Sequence, residues 1–175
     1  MKLTYNNIMI RNACAEDCLQ LSSWWNDGSI MAHAGFPMGL GTTPEKVRKE
    51  ISTDSDETRR RLILLSGEQP IGEMCFRRIT PGVADIGIKI CEQAFQEKGI
   101  GKIALSMMIR YLFETGIEKI ILDTNLTNTR AQHVYESLGF RKMRINIDSW
   151  TNQLGAPESS VDYELYPENF IDYAV

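Results

Sequence analysis

The feature that most restricts the fold is a change of hydrophobic period near the middle of the chain. Residues 61–66, 70–78 and 83–90 are strand-like runs separated by Gly67-Glu68-Gln69 and by Pro81-Gly82, the pattern of an antiparallel meander. In the last of them Ile86, Ile88 and Ile90 alternate with Asp85, Gly87 and Lys89, so one face is apolar and the other carries an acid and a base. From Ile100 onward the spacing becomes i, i+3, i+4 through Ile103, Ala104, Met107, Met108, Tyr111 and Leu112, which predicts a helix of several turns. Gly116 ends it, and Lys119-Ile120-Ile121-Leu122-Asp123 then reads as a strand buried on both faces. That is expected where strand, helix and strand form a parallel unit.

The flanks fill in around this frame. Residues 8–11 suit a first strand, and Cys14, Cys18, Leu21 and Trp25 then recur at helical spacing up to a stop near Asn26-Asp27-Gly28. Residues 28–43 hold Gly28, Gly35, Gly39, Gly41 and Pro37 and read as an irregular loop, with Thr43 placed to cap a helix begun by Pro44. After Asn128 a second helix has the stripe Ala131, Val134, Tyr135 and Leu138, with Gly139 as its stop and Phe140 opening a strand. Residues 141–150 and 160–166 can supply two final antiparallel strands. No repeat or long linker divides the chain. The expectation is a single α/β domain over residues 1–175, built on a central mixed, mostly antiparallel sheet with one parallel strand–helix–strand unit and helices on both faces.

Charge narrows the partners. Lys plus Arg number 19 against 23 for Asp plus Glu, a formal charge of −4, which gives no electrostatic reason to expect nucleic acid or an anionic membrane. A neutral or cationic partner fits better. The opening residues have no apolar core of signal-peptide length, and no segment approaches the ~18 consecutive apolar residues of a membrane span; a cytoplasmic location is expected. Cys14, Cys18, Cys75 and Cys91 have neither the paired spacing nor the neighbouring histidines of a zinc site, so no metal is expected and buried thiols are the simple reading.

Gln96-Glu97-Lys98-Gly99-Ile100-Gly101-Lys102 lies between the strand ending at Ile90 and the long helix, so its glycines fall on that helix's first turn. Unpaired N–H groups there, at the positive end of the helix dipole, suit a pyrophosphate, which glycine lets approach closely. The run matches neither G-x-x-x-x-G-K-[ST] nor the three-glycine dinucleotide fingerprint.

Gln96-x-x-Gly99-x-Gly101, followed by Asn128-x-x-Ala131-x-x-x-Tyr135-Glu136-x-Leu138-Gly139-Phe140, resembles the GNAT superfamily of N-acetyltransferases. The resemblance implies acetyl-CoA as acyl donor. It implies that the first motif, with the strand residues Ile88, Lys89 and Ile90, holds the coenzyme, and that Asn128 and Tyr135 stand near the pantetheine arm and the sulfur. It also implies a primary amine as acceptor, on a small molecule or at a peptide N-terminus.

Alkyl amines have a pKa near ~10, so about one in a thousand is ready to attack a thioester at pH 7. Asp85, on the strand that lines the family's substrate cleft, is the expected proton acceptor; the plainer alternative is an ion pair with Arg77 or Arg78. A backbone N–H between Ile88 and Ile90 is expected to meet the carbonyl oxygen. Tyr135 is placed to protonate the leaving thiolate, although its position on an apolar stripe also suits a core residue. His133 points elsewhere, and Lys98 and Lys102 can reach phosphate or simply be solvated. The family's acceptor pocket makes Trp24, Trp25, Asp27, His33 and Phe36 candidates for acceptor contact. Trp24 and Trp25 are adjacent and cannot share one helix face, so at least one is expected to contact the cleft, a neighbour or a partner chain, with packing the plainer role for each taken singly, which leaves a homodimer open. The opening segment is similar to the branch holding ribosomal-protein N-terminal and aminoglycoside or polyamine acetyltransferases. A non-catalytic acyl-CoA sensor is the alternative, since a fold persists without turnover.

Overall fold

In the computed structural model, which describes residues 1–175, eight strands form one sheet. They are β1 Lys2–Tyr5, β2 Ile8–Asn12, β3 Arg59–Ser66, β4 Gln69–Thr80, β5 Val83–Ile90, β6 Lys119–Asn125, β7 Arg141–Thr151 and β8 Pro157–Leu165, in the spatial order β1-β2-β3-β4-β5-β6-β8-β7. The helices are α1 Cys18–Asn26, α2 Gly28–Met31, α3 Pro44–Ile51, α4 Ile100–Glu114 and α5 Thr129–Ser137. Only β5 and β6 run parallel, as a crossover helix between them requires.

The strand β3 shows why the sheet is covered on both sides. Leu62 and Leu64 belong to the large core shared with α4 and α5, whereas Ile63 and Leu65 belong to a second, smaller core under α1 and α3. Alternation along a strand sends neighbours to opposite faces, so an unbroken apolar run needs two layers of helix. Thr43 caps α3 as its position suggests, Oγ1 accepting from Lys46 N at 3.3 Å with Pro44 at the first helical position.

Three local expectations change. A short strand, β1, precedes residues 8–11 and pairs with them through an Asn6-Asn7 turn in which Asn6 has φ 51°; asparagine tolerates that left-handed conformation better than most residues. Within the loop expected over residues 28–43, Asp27 caps α2 by accepting from Ser29 N at 2.8 Å, and one helical turn forms. Finally, Trp24 and Trp25 are both buried in the second core. Their faces differ, but α1 is enclosed on two sides: Trp24 Nε1 donates to Glu92 and Trp25 Nε1 to Glu73, each at 2.9 Å. The large exposed apolar side chains Met143, Ile145 and Ile147 lie instead on the edge strand β7.

The joint between β5 and β6 positions everything that follows. Their register covers Val83↔Lys119, Ala84↔Ile120 and Asp85↔Ile121 and then stops. Beyond Asp85 the two strands part, and a cleft enters the sheet.

Candidate active site

The cleft has a volume of about 920 Å³ and runs from the start of α4 to the short helix α2. One wall is the free edge of β5. Cys91 N donates to Ile71 O, towards β4, while Gly82 O accepts from Glu118 and Lys119 at the start of β6. Backbone groups alternate sides along a strand, so Ile86, Ile88 and Ile90 turn their N–H and C=O groups to the β6 side. Past Asp85 no strand meets them there. The carbonyl of Ile90 accepts from Gln96 Nε2 at 2.9 Å, which ties the loop before α4 to the end of β5.

That loop is shaped by two positive-φ residues, Glu97 at 59° and Gly99 at 76°. Glu97 is held by Arg130 Nη1 at 3.1 Å and Gln96 Oε1 accepts from Arg130 Nη2 at 3.4 Å, so α5 braces the loop. Gly99 needs its glycine for conformation. A Cβ on either Gly99 or Gly101 would meet no protein atom, so packing does not dictate glycine at 101. Gln96, Glu97, Gly99, Ile100, Gly101 and Lys102 line the cleft with Ile88, Lys89 and Ile90. Lys98 does not; its ammonium lies 5.7 Å from the Phe95 ring centre. Asn128 lines the cleft and uses Oδ1 to cap α5, accepting from Ala131 N at 3.2 Å.

Tyr135 stands on the opposite wall. Its ring packs edge-on to Phe140 at 5.8 Å and against Tyr163 at 5.9 Å, and its hydroxyl, which has no bonded protein partner, belongs to a residue on the cleft wall. Burial, with the charges of Asp123 and Cys75 added, pushes its pKa up to about 12. The phenol therefore stays protonated at neutral pH and is a donor.

The acids divide in a way that sequence reasoning did not foresee. Asp85 accepts from Arg77 Nη2 at 3.0 Å and lies off the cleft wall, which is the ion-pair alternative. Asp123, on β6, lines the cleft with no cation bonded to it. Partial desolvation first, and then the like charge of Asp162 across the strand pair, raise its pKa. Arg130 and Trp150 also line the cleft and were not anticipated. The alternation of β6 placed Asp123 on the same face as Asp85, but only the parting of the strands decides which acid meets the opening.

At the far end the cleft is roofed. His33, Ser29, Ile30 and Ala34 face Trp150 across it, and the turn joining β7 to β8 is fastened to the α2 side. Gln153 N donates to Gly35 O at 2.8 Å, its Oε1 accepts from Met38 N at 2.9 Å, and its Nε2 donates to Gly39 O at 2.9 Å. Trp150 lies so close over Gly35 that a Cβ there would come within 2.4 Å of its ring. Trp24 and Trp25 take no part in this cleft; Trp25 lines a second, smaller cavity instead. No group of three or more His, Cys, Asp and Glu side chains is placed to hold a metal, and no helix is long and apolar enough to cross a membrane.

A family model described as an acetyltransferase (GNAT) domain matches residues 7–141. A ribosomal protein bS18-alanine N-acetyltransferase of Haemophilus ducreyi is 33% identical over 75 residues, 43% of this chain and 52% of that protein. N-alpha-acetyltransferase 30 of Dictyostelium discoideum is 29% identical over 59 residues, 34% of this chain and 32% of that protein. The chain thus spans about half or less of the length of the curated relatives it matches. Among solved structures, a spermidine N-acetyltransferase from Vibrio cholerae in complex with CoA and spermine has TM-score 0.81 at 19% identity, covering 94% of this chain and 98% of that one. A ribosomal L7/L12 alpha-N-protein acetyltransferase in complex with coenzyme A has TM-score 0.83 at 16% identity, covering 95% and 98%. These structural likenesses concern the fold. With the family model spanning most of its length and the loop, helix and strand order in agreement, the chain belongs to the GNAT acetyltransferase family.

Proposed function

We propose that the chain transfers an acetyl group from acetyl-CoA to a primary amine, on a small molecule or at a peptide N-terminus. The observation that carries this reading is the parting of β5 from β6, which gathers a free strand edge, an open helix start, an unpaired carboxylate and a phenol donor into one cleft.

The residues fit the coenzyme. The first turn of α4 offers unpaired N–H groups to a pyrophosphate, with Lys102 and Arg130 at the same end of the cleft. The edge of Ile86, Ile88 and Ile90 offers donors and acceptors to the amide-bearing arm, as a missing strand would. When bound, the coenzyme supplies an acetyl group activated as a thioester. Asp123 takes the proton of the incoming amine; desolvation and the like charge of Asp162 raise its pKa above the ordinary carboxylate value, which makes it a better acceptor. An amide N–H on the free edge, at Ile88 or Ile90, faces the carbonyl oxygen as negative charge grows on it. Tyr135 donates to the departing sulfur. The Gln153 fastening closes the top of the acceptor end, which favours an amine presented at the end of a molecule. Asp123 and the free Tyr135 hydroxyl favour an enzyme over a binding module, which needs neither. The four free cysteines accord with a reducing cytoplasmic location.

Calorimetric titration with acetyl-CoA and CoA, followed by a thiol-release assay over amines, aminoglycosides and N-terminal peptides, tests the reading. Absence of binding by both ligands would sink it. Gly101→Ala gives a sharper check. Because the added methyl meets no protein atom and alanine favours helix, the variant gains roughly 0.5–1 kcal/mol of stability, yet binds CoA more weakly. A variant that is stabilised and binds CoA as before would show that the helix start is not the phosphate site. Tyr135→Phe removes the proton donor but keeps the ring packing. A thiol of pKa near ~8.5 leaves fairly readily unaided, so kcat is expected to fall by about 10- to 100-fold, at or below the lower limit usual for an acid catalyst. An unchanged rate of thiol release would make Tyr135 a packing residue.

A further inference from the structure

A second cavity, of about 340 Å³, opens beneath α1 and α3 between Trp25, Met31, Lys46 and Glu50. Its floor is an ionic cluster centred on a buried carboxylate. Strand register places Lys89 directly opposite Glu73 and sets Arg61 one diagonal step away on the other side, all on one face of the sheet. Glu73 is only 1% exposed and both of its oxygens are engaged: Oε1 accepts from Trp25 Nε1 at 2.9 Å and Lys89 Nζ at 3.2 Å, and Oε2 from Arg61 Nη1 at 2.7 Å. The Arg61 guanidinium also lies 4.8 Å from the centre of the Trp25 ring.

This cluster does not balance. Two cations share one carboxylate, which already accepts three hydrogen bonds. Arg61 meets a side-chain acceptor through Nη1 alone and Lys89 through its single bond to Glu73, so each keeps N–H donors without a protein acceptor. Lys46 adds a third positive charge with no bonded carboxylate, against the one remaining acid, Glu50. Although the chain as a whole carries −4, this cavity is locally positive. The Arg61 and Lys89 side chains remain 24% and 32% exposed, so an anion entering the cavity would meet their unused donors together with Lys46. Lys89 lines both this cavity and the main cleft, so the two spaces adjoin at this residue.

We propose that this second cavity binds a carboxylate group, and the adjacency at Lys89 assigns it to the distal end of the acceptor, an amine that also carries an acid. The acceptor assignment rests on the acetyltransferase reading; the carboxylate site does not. It disfavours a polyamine, whose second ammonium would face Arg61, Lys46 and Lys89. The test has two arms. In the first, glutarate and cadaverine are titrated separately against the full chain without coenzyme, and the Trp25 indole N–H is followed by NMR. Glutarate is expected to shift it saturably, cadaverine is not, and in Lys46→Glu, a change on an exposed helix position, glutarate affinity falls at least about tenfold. No saturable shift with glutarate, or an equal shift with cadaverine, overturns the proposal. In the second arm, acetyl transfer is compared between amines that differ only in a distal carboxylate or its amide. A KM at least about tenfold lower for the acid, with that ratio collapsing in Lys46→Glu, assigns the carboxylate to the acceptor. Equal KM values with glutarate binding intact support the site and assign it to a separate small acid. Glutarate binding with no turnover on any amine keeps the carboxylate site and removes the acetyltransferase reading instead.

Discussion

Asp123→Asn is expected to lower kcat/KM for amine acetylation by about 100-fold or more while raising the melting temperature of the protein. The first effect follows from removing the only carboxylate that opens on the cleft without a bonded cation. The second follows from the same circumstance. Desolvation and the like charge of Asp162 raise the pKa of Asp123 in the folded chain, so the folded state holds this proton more tightly than the unfolded one. Stability then falls as pH rises through the titration of Asp123, whose ionised form works against folding. Asparagine cannot ionise, so the variant escapes the penalty. Asp85→Asn breaks the pair with Arg77 at 3.0 Å, although burial raises the Asp85 pKa as well, so activity is what separates the two variants, and Asp85→Asn costs less of it than Asp123→Asn. Steady-state kinetics and thermal melts of the two variants at pH 7 decide the matter. If Asp85→Asn proves the more damaging to kcat/KM, the assignment of the proton acceptor is wrong; if Asp123→Asn gains no stability, the ionised carboxylate does not work against folding.

Glu73→Gln should destabilise the fold by about 3 kcal/mol, the lower end of the cost of breaking a buried pair, because Arg61 and Lys89 keep 24% and 32% of their side chains exposed. Against a total stability of about 5–15 kcal/mol for a domain of ordinary size, that is a large share. Glutamine keeps the shape and can still accept from Trp25, so the loss isolates charge from packing. The nearby cations, Arg61 foremost and Lys89 next, hold the Glu73 pKa below the ordinary carboxylate range despite the opposing effect of burial. A folded-state pKa lower than the unfolded value contributes stability that is fully present above the unfolded value of about 4.3 and disappears as pH falls through the depressed one. Urea unfolding at pH 7 and at pH 3 reads both effects: the gap between wild type and Glu73→Gln is widest at neutral pH and narrows in acid. A loss below about 1 kcal/mol at pH 7 would mean that Arg61 and Lys89 find water as readily as they find Glu73.

Much of the architecture was legible because strong periods leave little choice. The alternation through Ile86, Ile88 and Ile90 and the i, i+3, i+4 run of α4 describe elements that the structure contains with nearly the same limits. The elements that escaped are short: β1 has four residues and α2 has four, too few for a period to show, although Asn6-Asn7 and the cap at Asp27 were local signs of a turn and a helix start. The site was legible where backbone makes it, at Gln96, Gly99 and Gly101, since glycines before a helix announce a backbone function. It was less legible where side chains compete. Asp85 and Asp123 have the same chemistry and share a face; their difference depends on Arg77, one strand away, and on where β6 leaves β5. Trp24 and Trp25 were judged from α1 alone, whereas their burial depends on Glu92 and Glu73, residues 68 and 48 positions away.

The parting of β5 and β6 also bears on how such a protein can change over time. One mutation replaces a side chain, but only a change to proline removes a backbone N–H, so whatever is gripped along Ile86, Ile88 and Ile90 is gripped by groups that nearly every substitution leaves in place. The roof over the other end is made of Trp150, His33 and the Gln153 fastening, each removable in a single step. Drift therefore has unequal access to the two halves of the cleft. The strand edge can outlast wholesale replacement of its surroundings, while the loops that select what enters opposite it are free to take up a new clientele.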